Sequence, residues 1–272
     1  DLRHPMQNRF KGIFAPGSSL KPIIAAIGLS QNKFSASEDF GNSGKRWQKN
    51  KSWGGYYVTT LHDYSGHNVR NALIYSDNIY FAKAALKIGK DTLKDQFDNL
   101  LFGKNLDFTF GLTASSYGSE GFTSEIQLAD SGYGQGEMMV NPVHMATIYT
   151  AFSNKGNMLK PYLIKQKGSK KQVLKEHVFS NDAVKTVNDA MKQVISNPNG
   201  TGYAAQMDGI DLKGKTGTAE IKQSQTDTKG TELGWFVTIM PKTEYKESLE
   251  LVSMTEDVKK RGGSGYVVNK TK

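Results

Sequence analysis

The sequence predicts an α+β fold in which an antiparallel sheet is flanked by helices. Two observations carry this. Residues 17–31, 71–88, 142–152 and 181–195 place apolar side chains at helical spacing. Residues 215–221, 234–240 and 249–254 are short, alternating or apolar runs with turn residues between them, as strands are. Helices first and strands last is the order of an α+β protein; a doubly wound fold would alternate them.

Taken in order, residues 17–31 open on Gly17 and Ser18, a start signal, and tolerate Pro22 in the first turn because its missing N–H had no partner there. The stretch that follows is apolar almost all round, which predicts a helix inside the core. Residues 35–66 are polar and glycine-rich but hold Trp47, Trp53, Tyr56 and Tyr57. Residues 71–88 read as one helix, with Ala72, Leu73, Tyr80, Phe81, Ala84 and Ala85 on its apolar side. Residues 100–136 are loop-rich. Residues 142–152 form a further helix, ended by a turn at 154–156. The densest lysine cluster, residues 165–175, reads as a decorated turn around Gly168 and Ser169. Residues 181–195 are amphipathic, with Val184, Val187, Met191, Val194 and Ile195 on one side. The three strands follow, and residues 262–272 do not read as a helix.

Composition excludes several functions. The chain has 272 residues and no cysteine, so disulfides, thiol catalysis and Cys-ligated zinc are out. Its length allows roughly three quarters of the unfolded surface to be buried, enough for a real core. His4, His62, His67, His144 and His177 make no metal-ligand pattern, and no metal or cofactor is expected. No apolar run approaches the ~20 residues that cross a bilayer. Residues 1–8 carry no secretion signal, so membrane attachment is expected only through a segment outside this chain. The net charge of +9 suits an anionic neighbour, yet the lysines are scattered and no nucleic-acid motif is present. Nucleic acid is not an expected partner, and the charge reads as a solvated surface.

Three short motifs carry chemistry. Ser18 and Lys21 stand three apart at a helix start, so both side chains lie on one face. There an amine can take the proton of a hydroxyl nucleophile while free N–H groups favour a developing oxyanion. Lysine ordinarily titrates near ~10.4, so this base needs burial and a nearby cation to be neutral. Ser76-Asp77-Asn78 alone would be a helix cap. Lys215-Thr216-Gly217-Thr218 alone would be an edge strand. In this order the three form the S-x-x-K, S-D-N, K-T-G set of penicillin-recognising serine enzymes.

The chain resembles the transpeptidase domain of class B penicillin-binding proteins over about residues 8–260. Beyond the motifs, residues 14–29, 47–59, 128–146 and 214–220 are similar to that family. The 47–59 loop and the GYGQGE segment at 132–137 resemble its low-affinity, β-lactam-resistant members in Gram-positive cocci. The resemblance implies a penicillin-binding/β-lactamase-like serine acyltransferase fold with a helical subdomain, spanning residues 1–272. It implies a D,D-transpeptidase that cross-links peptidoglycan stem peptides on the outer face of the cytoplasmic membrane, beside a glycosyltransferase partner, and that β-lactam antibiotics acylate. Ser18 would be the nucleophile, Lys21 its base, and Ser76 a proton relay between Lys21 and Lys215. Asn78 would bind the substrate amide. Lys215, Thr216 and Thr218 would bind its carboxylate. Gly217 would let substrate approach the strand, and the Ser18 and Thr218 N–H groups would form the oxyanion hole. The sequence departs from the family in expecting neither the upstream strands nor a C-terminal helix.

Relatives of the same fold remain as alternatives: a β-lactamase, a D,D-carboxypeptidase or a non-catalytic sensor. A β-lactamase would need a glutamate for the deacylating water. Glu125 sits in a near match, E-x-x-L, that ends in Ala129 and reads as a surface glutamate at a helix start. Residues 209–216 also fit the phosphate-binding G-x-x-x-x-G-K-T pattern, but a strand where that loop needs a helix argues against nucleotide. Two glycines of 132–136 are expected to make a tight turn near the site.

Overall fold

The computed structural model describes residues 8–164, 170–221, 230–242 and 247–272. A 3-10 turn, Gly17–Leu20, leads directly into α1 (Lys21–Ser30). Residues Lys21 to Gly28 are all buried, so α1 runs through the core as its all-round apolar pattern demands. A small hairpin of β1 (Arg46–Trp47) and β2 (Val58–Thr59) follows. Then come α2 (Val69–Ile74), α3 (Asn78–Ile88), α4 (Lys90–Asn99), α5 (Glu125–Ser131) and α6 (Pro142–Ser153). A second hairpin, β3 (Met158–Leu159) and β4 (Val173–Lys175), precedes α7 (Asn181–Ser196). The chain then forms β5 (Lys213–Ile221), β6 (Thr231–Met240), β7 (Leu249–Thr255) and α8 (Ser264–Thr271).

The three long strands make one antiparallel sheet, ordered β5-β6-β7. Its register pairs Lys215 with Val237 and Thr218 with Gly234. One face joins the main core through Val237 and Ile239, among α1, α3, α6 and α7. The other buries Phe236 against Val267 and Val268 of α8 and Ile195 of α7. Among the described residues β5 is an outer strand, and the 3-10 turn lies beside it.

Two expectations are corrected. Residues 71–88 are two helices. The ladder breaks where Ser76 adopts φ +54°. Asp77 N–H bonds Ala72 O (2.9 Å) and Ser76 N–H bonds Leu73 O (3.3 Å), the hydrogen-bond pair of a Schellman ending. Apolar spacing continues across the break, so periodicity could not show it. Residues 264–271 are helical although two glycines precede the segment and it holds Gly265 and three β-branched residues. Burial of Val267 and Val268 stabilises α8 where propensity does not. At Gly234 a Cβ would stand 2.6 Å from Val267 Cγ2, so this glycine admits the helix. Inside 100–136, α5 begins at Glu125, where a helix start was read, and is capped by Ser124. The turn expected at Gly168 and Ser169 lies outside the described residues.

Candidate active site

The 3-10 turn is held from several sides. Gly17 N–H bonds Gly134 O (2.9 Å), Tyr149 Oη donates to Ser19 O (2.6 Å), and Trp235 Nε1 donates to Ala15 O (2.9 Å). Ser19 is buried and its Oγ donates to Pro16 O (2.8 Å), which uses up that hydroxyl. Ser18 alone in the turn is half-buried, while Gly17, Ser19, Leu20 and Lys21 are enclosed. In a 3-10 turn residues i and i+3 eclipse, so Ser18 and Lys21 share one face.

Close approach to β5 explains two glycines. Gly17 has φ +52°, and a Cβ there would be 2.3 Å from Thr218 O. A Cβ at Gly217 would be 2.8 Å from Ser19 N and 2.9 Å from Pro16 O. Gly217 therefore makes room for the serine turn itself, a reason different from the substrate clearance expected of it.

Lys21 and Lys215 converge on Ser76. Lys21 Nζ lies 2.6 Å from Ser76 O, 3.2 Å from Ser76 Oγ and 2.7 Å from Asn78 Oδ1. Lys215 Nζ lies 2.9 Å from Ser76 Oγ and 3.0 Å from Thr216 O. The αL conformation of Ser76 turns its carbonyl and hydroxyl to the same amine. Both lysines are fully buried. Burial, reinforced by the Lys215 charge, holds Lys21 well below the ordinary lysine value, while the Asp77 charge pulls it up. Burial pushes Lys215 down to about 7.

Valence then fixes what Lys21 can do. A neutral amine has two N–H groups and one lone pair. Ser76 O and Asn78 Oδ1 take the two N–H groups, leaving the lone pair for a hydroxyl proton. The Ser76 hydroxyl touches both amines, a bridge along which a proton can pass.

The turn holding Ser76 is itself anchored. Asp77 Oδ1 accepts the Ile79 N–H (2.8 Å), capping α3, and Oδ2 accepts the Tyr64 hydroxyl (2.7 Å). Asn78 Nδ2 donates to Thr59 O (2.9 Å) in the hairpin. Thr216 and Thr218 lie on the strand face opposite Lys215, since neighbours alternate. Thr216 Oγ1 donates to Thr201 Oγ1 (2.6 Å). Thr201, from the loop after α7, was not anticipated, and no motif marks it.

Other expectations resolve plainly. Glu125 is exposed and paired with Lys49, with Trp53 Nε1 at 3.4 Å. Trp47 and Trp53 pack edge to face. Gly134 and Gly136 both have positive φ, as a tight turn requires. His144 lies between Ser115 Oγ and Leu100 O, and burial lowers its pKa to about 4. Residues 213–216 of the P-loop pattern are strand. His4 lies outside the described residues.

Fold and motifs are those of the penicillin-recognising serine class. The family model for the penicillin binding protein transpeptidase domain matches residues 1–271, and the chain belongs to that family. It is 40% identical over 274 residues to Penicillin-binding protein 3 of Bacillus subtilis (strain 168), covering 100% of this chain and 40% of that protein. It is 27% identical over 221 residues to the Peptidoglycan D,D-transpeptidase FtsI of Escherichia coli (strain K12), covering 80% of this chain and 36% of that protein. The chain thus spans well under half the length of these relatives. The transpeptidase domain of Burkholderia pseudomallei penicillin-binding protein 3 superposes with a TM-score of 0.81 at 21% identity, over 97% of this chain and 78% of that one. That likeness shows the fold.

Proposed function

We propose that this chain is the catalytic domain of a class B D,D-transpeptidase acting on peptidoglycan. The observation that carries the reading is the convergence on Ser76 Oγ of two buried lysines, of which Lys21 stands one helical turn from the half-buried Ser18; among the described residues both bond only hydroxyl and carbonyl oxygens. Ser18 Oγ attacks the carbonyl of a D-Ala–D-Ala terminus as its proton passes to Lys21. The tetrahedral intermediate is stabilised by the Ser18 and Thr218 N–H groups, each such donor worth on the order of 3 kcal/mol. Ser76 relays the proton to the departing D-Ala amine, leaving an ester on Ser18. The amine of a second stem peptide then attacks that ester, loses a proton along the same path and releases Ser18.

Asn78 Nδ2 spends one N–H on Thr59 O, which leaves its second N–H for a substrate carbonyl. Lys215, Thr216 and Thr218 set the positive end of the cleft for the substrate carboxylate. A β-lactam presents the same carbonyl and carboxylate and traps Ser18. The 47–59 loop and the GYGQGE segment support the low-affinity subgroup, in which acylation is slow. Cross-linking needs polymerised strands, so a glycosyltransferase must supply them, and the site works outside the cytoplasmic membrane where those strands are.

Intact-protein mass spectrometry with excess benzylpenicillin tests this. A slowly formed, long-lived adduct on the Ser18 peptide, lost in Ser18→Ala, is expected. Rapid loss of the adduct with drug turnover would make the protein a hydrolase. No adduct on folded protein would overturn the acyltransferase reading. Glu125→Ala leaves the adduct equally persistent, because its carboxylate is engaged by Lys49 and Trp53.

A further inference from the structure

The β1–β2 hairpin is bonded both to Asn78 and to Asp130. At its base Thr59 O accepts Asn78 Nδ2, and Asn78 Oδ1 in turn accepts Lys21 Nζ. Within its loop, Tyr56 Oη donates to Asp130 Oδ1 in α5. Trp53 packs edge to face on Tyr56, with ring centroids 6.0 Å apart, and Gln48 Nε2 holds Tyr56 O at 3.2 Å. The hairpin is therefore ordered where Tyr56 leaves it.

Asp130 is a buried carboxylate with an unusual pair of donors. Its Oδ1 accepts both the Tyr56 and the Tyr133 hydroxyls, and the two phenol oxygens are 3.3 Å apart. Burial raises its pKa, against which the two phenol bonds act. An apolar contact would tie α5 to the hairpin without the desolvation cost. A charged acceptor shared by two phenols instead fixes direction and distance.

What Tyr133 fixes lies against the nucleophile. Gly134 follows it with φ +74°, and its carbonyl accepts the Gly17 N–H at 2.9 Å. A Cβ at Gly134 would stand 2.0 Å from Gly17 O, so the two backbones touch with no slack. A shift of Tyr133 moves the bond that holds the residue preceding Ser18.

We propose that Asp130, acting through Tyr56 and Tyr133, is a positioning residue for Ser18, an inference that rests on the acyltransferase reading above. The Tyr56–Asp130–Tyr133 link joins the hairpin that holds Asn78 to the turn that holds Gly17. It thereby keeps the nucleophile aligned with Lys21.

The test is the acylation of Tyr56→Phe, Asp130→Asn and the double variant by benzylpenicillin. The first-order acylation step is separated from non-covalent affinity by varying drug concentration. Each single variant loses about tenfold in the acylation rate constant, the scale of a sub-ångström misplacement, with non-covalent affinity unchanged. The double variant is no slower than Asp130→Asn, because the two groups act in one chain. Unchanged rates in the single variants, or losses that multiply in the double, would overturn the proposal. If Asp130→Asn does not fold, the half-buried Tyr56→Phe decides alone, by the same rate-constant criterion. Failure of the wild type to form a Ser18 adduct would instead refute the function reading, so the two failures are distinguishable.

Discussion

Two sets of lysines in this molecule live by opposite rules. On the surface, Lys94 pairs with Asp98 and Lys160 with Asp107, at 2.7 and 2.6 Å, in solvent. In the interior, Lys21 and Lys215 are wholly buried and, among the described residues, bond only hydroxyl and carbonyl oxygens. Surface pairs are worth at most about 1 kcal/mol each. Buried cations without a paired carboxylate cost stability, which is why both lysines are driven toward neutrality. The contrast supports the proposed role of these two lysines, since stability alone would select against them.

Breaking the buried set at its centre gives the largest effect. Lys21→Met removes the base and is expected to slow acylation of Ser18 by about 10³-fold, within the range for general-base loss. Time-resolved intact-mass measurement checks it, and a rate within a few fold of wild type would remove Lys21 from the reaction.

Next comes stability. A base whose folded pKa is depressed binds fewer protons folded than unfolded, so wild-type stability rises with pH across that window. For Lys215 the window runs from about 7 to the ordinary value of 10.5. Lys215→Met removes the penalty. Its melting temperature should exceed that of wild type at pH 7, and the gap should close toward pH 10. A gap independent of pH would mean that Lys215 is charged in the fold.

The motif residues were legible because each set is local, whereas their convergence was expected only through the family resemblance. Ser76 meets Lys21 and Lys215 across 55 and 139 positions of chain, and spacing within a motif cannot report such contacts. The core helix of residues 21–30 and the β5–β7 sheet followed from patterns that burial enforces. The break at Ser76 and the helix at 264–271 did not, since one depends on a single φ and the other on tertiary burial of two valines. Gly217 was marked by its motif, yet its reason, the approach of Ser19 N and Pro16 O, exists only in three dimensions. Thr201 and Asp130 had no local signature at all.

A finer test removes the charge beside the buried pair, and with it the Tyr64 hydroxyl's bond to Asp77 Oδ2. Asp77→Asn preserves the cap on α3, because asparagine accepts the Ile79 N–H equally well. The Asp77 charge raises the Lys21 pKa against burial and Lys215, so its loss lets that pKa fall further. Acylation needs neutral Lys21, so the acid limb of the rate–pH profile should move to lower pH. A limb that stays in place, with the variant as stable as wild type, would mean that Asp77 acts on the turn alone.

The smallest expected effect belongs to the surface, and it completes the contrast. Lys94 and Asp98 stand one turn apart on α4, with side chains half exposed, so water screens their attraction and their chains give up rotamer freedom to meet. Asp98 Oδ1 also accepts the Tyr117 hydroxyl at 2.7 Å, a bond that survives loss of the lysine. Lys94→Ala should therefore leave the denaturation midpoint within error of wild type and Ser18 acylation untouched. Lys21→Met deletes the same kind of side chain, yet is expected to change the acylation rate a thousandfold more. If chemical denaturation showed comparable losses for the two lysines, and acylation fell equally in both variants, burial could not be what separates them.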